Sequence, residues 1–92
     1  MGLISKDISG WELHKIADGS LSCENPKLTA SDVSKIDNII RTEFAGRIKE
    51  DHVIVSYDNW SGVFIMHCPG KKTRESDKII KDIYGFLIEL ER

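Results

Sequence analysis

Apolar residues along this chain fall into two recurring patterns, short runs with period two and stripes with a period near 3.6. The most apolar stretch is His52–His67, HVIVSYDNWSGVFIMH. Two apolar runs flank Asp58-Asn59-Trp60-Ser61-Gly62, a cluster of turn formers with an aromatic at its centre. That arrangement predicts an antiparallel hairpin with a short loop. Successive strand residues point to opposite faces, so Val53, Val55 and Tyr57 share one face, and His52, Ile54 and Ser56 take the other. On the return strand Phe64 and Met66 oppose Val63 and Ile65. Neither face of this hairpin is polar over any length, so both need cover, from helices, a second sheet or another chain.

The rest of the chain can be read as packing against that hairpin. Residues 1–10 are short and mixed and predict a loose lead-in, with Leu3 and Ile4 tucked onto the body. Trp11–Ile16 alternates well enough for a strand, Asp18-Gly19 is a strong turn signal, and Ser20–Glu24 returns with Leu21 and Cys23 inward. Trp11 is expected in the core. Pro26 stops the ladder. Thr29 with Asp32 three residues on forms a capping pattern, and Leu28 with Val33 fits a hydrophobic staple. Val33, Ile36, Ile40 and Phe44 then share one helical stripe, widened by Ile39, with Gly46 as a stop. Residues 47–51 form a charged connector. After Cys68-Pro69-Gly70, either Thr73 or Ser76 caps a second helix running to about Glu91. Its stripe, from Ile79 to Leu90, is broader than the first and predicts deeper burial.

The order is therefore ββαββα, which predicts an α+β two-layer sandwich: a four-stranded antiparallel sheet with two helices on one face. A shift of 43 residues aligns Gly19 with Gly62, Leu21 with Phe64, Pro26 with Pro69, Lys35 with Lys78, Ile36 with Ile79 and Ile40 with Ile83. These matches read either as a duplication of a ββα unit or, the reading we favour, as the turn glycine, loop proline and helix stripe that any two ββα units need at similar offsets.

At 92 residues the chain is read as a single domain, 1–92, able to bury one core without metal or disulfide staples. A hydrophobic fraction of 40% with 30% charged residues is ordinary for a globular protein. The formal net charge of −2 argues against a dedicated nucleic-acid binder. No apolar run approaches the ~20 residues of a membrane span, and Lys6 stands where a myristoylation motif wants Ser or Thr. Cys23 and Cys68 have no zinc-ligand spacing and read as free thiols in a reducing, cytoplasmic setting.

Candidate chemistry is sparse. His67-Cys68 at a strand end, with Cys23 and His14 elsewhere, would suit a metal or an activated thiolate only if the hairpins brought them together. Lys71, Lys72 and Arg74, between a strand and a helix start, could meet an anion or nucleotide, although the stretch is not a P-loop. No catalytic residue, metal or cofactor is expected. The composition and pattern point to a small non-enzymatic interaction or regulatory module. Its apolar second hairpin would serve self-association as a homodimer, or a protein partner, with no membrane role. The candidate partner surface is Val53, Val55, Tyr57, Val63 and Ile65 together with Trp60. Ile54, Phe64 and Met66 are the alternative set, because the pattern leaves open which face meets the helices.

Overall fold

The computed structural model describes residues 2–48, 52–70 and 72–91. The chain folds as β1 (Gly2–Lys6), β2 (Glu12–Lys15), β3 (Leu21–Asn25), α1 (Val33–Glu43), β4 (Val53–Asp58), β5 (Gly62–His67) and α2 (Ser76–Leu90). A single turn of 3-10 helix, Ala30–Asp32, leads into α1. The class is α+β as expected, but the sheet has five antiparallel strands rather than four, in the order β1-β2-β3-β5-β4. The extra strand is the segment read as a loose lead-in. It pairs with β2, with a register shift between Leu3 and Ser5, and the Tyr84 hydroxyl of α2 donates to Ser5 Oγ at 3.1 Å.

Side chains directly opposite one another in an antiparallel ladder share a face. The helix-facing row therefore runs through Ser5, Leu13, Cys23, Ile65 and Val55. Leu13, Cys23 and Ile65 are buried there with Trp11, Leu21, Val53 and Val63. They form one core with Ile36 and Ile40 of α1, and with Ile79, Ile80, Ile83 and Leu87 of α2. Both helices thus cover the same face. Phe44, just past α1, meets Phe86 of α2 edge-on at 5.8 Å, and Arg47 pairs with Asp82 at 2.8 Å. The broader stripe of α2 does correspond to deeper burial, since α1 buries only Ile36 and Ile40.

Local signals explain the starts and stops. The Thr29 N–H donates to the Asp32 carboxylate at 2.9 Å, and Leu28 and Val33 both pack against the core. Gly62 lies at φ +71°, and a Cβ there would run into the Asn25 carbonyl and the Pro26 Cα, so only glycine fits beside β3. Of the connector after α1, residues 49–51 lie outside the described residues.

The two hairpins are related more closely than the 43-residue shift implies, and in a different register. Leu13 pairs Cys23 as Val55 pairs Ile65, and Lys15 pairs Leu21 as Tyr57 pairs Val63, which relates the hairpins by 42 residues. Cys23 itself pairs with Ile65, so a local two-fold axis passes through that pair. The helices keep the 43-residue relation, with Ile36 and Ile79 both at 7% exposure and Ile40 and Ile83 both at 0%. One residue is therefore inserted between strand and helix. Matching Leu21 to Phe64 was the slip: Leu21 is buried under the helices, whereas Phe64 lies on the other face, and a slip of one always exchanges faces.

Candidate functional site

Among the described residues no helix covers the sheet's second face. Its side chains form two rows across the strands. One runs Leu3, His14, Ser22, Met66, Ile54, and the other runs Lys6, Glu12, Glu24, Phe64, Ser56. Over β4–β5 the face is apolar, with Ile54, Phe64 and Met66 half-exposed. Over β2–β3 it is charged. Glu12 and Glu24 sit directly opposite each other, an arrangement that is repulsive on its own. His14 lies between them, its Nε2 at 2.7 Å from Glu12 and 3.8 Å from Glu24, and Lys6 approaches Glu12 at 4.0 Å.

This placement corrects the partner surface expected from the sequence. Val53, Val63 and Ile65 are between 0% and 2% exposed and Val55 packs against the same core, so these four hold the helices rather than face outward. Tyr57 shares their face but lies near the strand end at 37% exposure. The open set is the alternative one, Ile54, Phe64 and Met66. The two sets were indistinguishable in the sequence because both are apolar. The polar partners of the neighbouring hairpin carried the missing signal, since Leu21 and Cys23 mark the core face of the strand that pairs with β5.

Trp60 stands apart from both sets. It occupies the tip of the β4–β5 turn at 92% exposure. Asp58 Oδ1 accepts the N–H groups of Trp60 at 2.8 Å and of Ser61 at 2.6 Å, which fixes the turn beneath the indole. The β1–β2 turn is built alike: Asp7 Oδ2 accepts the Ser9 N–H at 2.9 Å, Gly10 takes φ +102°, and Ile8 between them is 93% exposed. Holding two such side chains in water forgoes roughly 2–3 kcal/mol of burial for each. Both turns lie at one end of the sheet, where Asn25 pairs with Gly62 and also touches Gly10.

The loop before α2 places Lys72 and Arg74 at the surface, and Lys71 lies outside the described residues. Nearby donors are engaged. The Thr73 N–H donates to Ser76 Oγ at 2.7 Å, and the Glu75 N–H donates to Thr73 Oγ1 at 3.2 Å. Glu75 and Asp77 put negative charge at the helix start, which already complements its dipole and disfavours an added anion. Lys72 instead lies near Asp18, whose carboxyl is held below its usual range by the Ser20 hydroxyl first, then the Ser20 N–H, with a smaller contribution from Lys72.

The cysteine and histidine residues are not assembled into a reactive group. Cys23 is fully buried on the helix face, and burial pushes its thiol far above the usual range. His67 is buried with its Nε2–H donating to the Ser76 carbonyl at 3.0 Å, while Cys68 is the next residue and half-exposed. Both cysteines are free thiols. Among the described residues no group of three or more His, Cys, Asp or Glu side chains is placed to hold a metal ion, and no helix is long and apolar enough to cross a membrane. No protein-family model, curated protein or solved structure matches the chain.

Proposed function

We propose that this protein is a small non-enzymatic interaction module that receives a protein partner on the open face of β4–β5. The observation that carries this reading is the contrast across one sheet face, with Ile54, Phe64 and Met66 on one half and Glu12, His14 and Glu24 on the other. Strands with one buried and one wet face alternate apolar and polar positions, and β5 does not. An apolar strip bordered by carboxylates suits a partner segment with apolar anchors and a neighbouring cation.

Site-specific photo-crosslinking tests it. A benzophenone side chain at position 64 should yield an adduct with a discrete partner in the native cells. The same group at Asn38, exposed on α1, should not. Absence of any adduct at 64, or equal adducts at both positions, would overturn the reading.

A further inference from the structure

β4 forms one edge of the sheet, and its pairing with β5 sets which of its backbone groups point outward. The Cys68 N–H donates to the His52 carbonyl at 3.0 Å. Bonding alternates along an antiparallel ladder, so Ile54, Ser56 and Asp58 bond to β5, whereas Val53, Val55 and Tyr57 turn their N–H and C=O groups away from it. The same places on the first hairpin, 42 residues earlier, are Trp11, Leu13 and Lys15. There each is paired: the Trp11 carbonyl accepts the Asp7 N–H at 2.9 Å, Leu13 lies opposite Ser5, and Lys15 lies opposite Gly2 of β1. On β4 the Val53 carbonyl accepts from the Arg41 guanidinium at 2.8 Å, and among the described residues no strand lies beyond Val55 and Tyr57. One half of the molecule thus places a strand where the other half ends in an edge. The two edges of the sheet also differ. β1 carries a register shift and Lys6, both of which discourage a further strand, whereas β4 keeps an unbroken register and has no charge from Val53 to Tyr57.

We propose that β4 pairs with β4 of a second copy, edge to edge, about a two-fold axis perpendicular to the sheet at Ser56. Val55 of each copy then lies opposite Tyr57 of the other, and each such pair exchanges both of its outward N–H···O bonds. This register leaves the Val53 carbonyl to Arg41. An uncapped antiparallel edge is complementary to itself in this way, and a strand spacing of about 4.8 Å sets the two sheets side by side. No like charges come opposite one another, because residues 53–57 carry none. On the helix side Tyr57, 37% exposed, gains Val55 of the second copy as a cross-strand neighbour. The face of Ile54, Phe64 and Met66 stays uncovered, so self-pairing leaves the surface proposed for a partner free. Contact along one short strand belongs with the smaller, weaker interfaces, so the dimer forms at high concentration.

On dilution of the full chain from about 1 mM to about 1 µM, mass by light scattering should fall from near twice 10.4 kDa to 10.4 kDa. Amide exchange followed by NMR over the same range locates the contact. The Val55 and Tyr57 N–H groups should be protected about 10-fold or more at the high concentration and lose that protection on dilution. The Ile54 and Ser56 N–H groups, which bond within the chain, should change little. Tyr57→Pro removes an outward N–H, which an edge strand tolerates, and should weaken association about 10-fold or more. Tyr57→Lys blunts the edge while keeping the backbone donor, and should weaken association with an unchanged far-UV circular dichroism spectrum. A constant 10.4 kDa mass at every concentration would overturn the proposal. A dimer whose Val55 and Tyr57 amides exchange as fast as in the monomer would also overturn it. So would a dimer lost on changing Phe64 and Met66 but kept in Tyr57→Lys, which would assign self-association to the open face. Partner capture at position 64 reads out separately, so the two proposals fail independently.

Discussion

At matched positions of the two hairpins, Glu12 corresponds to Ile54, His14 to Ser56, Ser22 to Phe64 and Glu24 to Met66. The backbone register is the same in both, and so is the inward set, where Leu13, Leu21 and Cys23 match Val55, Val63 and Ile65. Only the outward side chains differ. The fold therefore does not require the outer face of β4–β5 to be apolar, because the same scaffold beside it carries carboxylates there. The proposed partner on β4–β5 would account for this difference between the halves.

The sharpest way to break the comparison is to mutate adjacent residues of β5. Ile65→Ala opens a cavity in the core and should cost about 3–4 kcal/mol in denaturant unfolding. Phe64→Ala, one residue away on the open face, should cost less than Ile65→Ala, because part of its ring already meets water and no helix packs over it. Comparable losses at both sites would mean that the two faces are equally structural. Gly62→Ala belongs with the large effects, at about 3 kcal/mol or more, since it combines a positive φ with a backbone clash.

Thiol labelling should separate the faces without changing stability. Cys68 should react with an aromatic disulfide reagent in the native state, whereas Cys23 should react only on global unfolding, held back by burial and a raised pKa. Fast labelling of both would place Cys23 in a mobile strand. The smallest effect concerns pH. Asp82 is held below its usual range by Arg47 first and Lys78 second. A depressed folded-state pKa contributes stability above the unfolded value and loses it as pH falls through the folded value. Asp82→Asn should therefore lower stability slightly at pH 7 and leave it unchanged near pH 2, with the difference read from parallel acid titrations.

Much of this was legible from residue pattern. The hairpin turns at Gly19 and Gly62, the Thr29 cap, the inward Leu21 and Cys23, the buried Trp11 and the deeper second helix all follow from local rules. Residues 2–6 did not read as a strand because Gly2-Leu3-Ile4-Ser5-Lys6 does not alternate, and its register shift absorbs the mismatch. The turn Asp7-Ile8-Ser9-Gly10 held the clue, since it follows the order aspartate, apolar residue, serine, glycine of the Trp60 turn, which has Asn59 as an extra residue. The face of β5 stayed ambiguous for a physical reason: with Val63, Phe64, Ile65 and Met66 all apolar, only pairing to β3 decides which side meets the helices.

The most direct test of the account transfers one outer face to the other, with Ile54→Glu, Phe64→Ser and Met66→Glu combined, followed by thermal unfolding. The account predicts a cooperative transition shifted by less than about 10 °C, most of it from the opposed glutamates that Ser56 cannot bridge as His14 does. Loss of the cooperative transition would show that Ile54, Phe64 and Met66 hold the fold together, and would contradict their assignment as a surface kept for a partner.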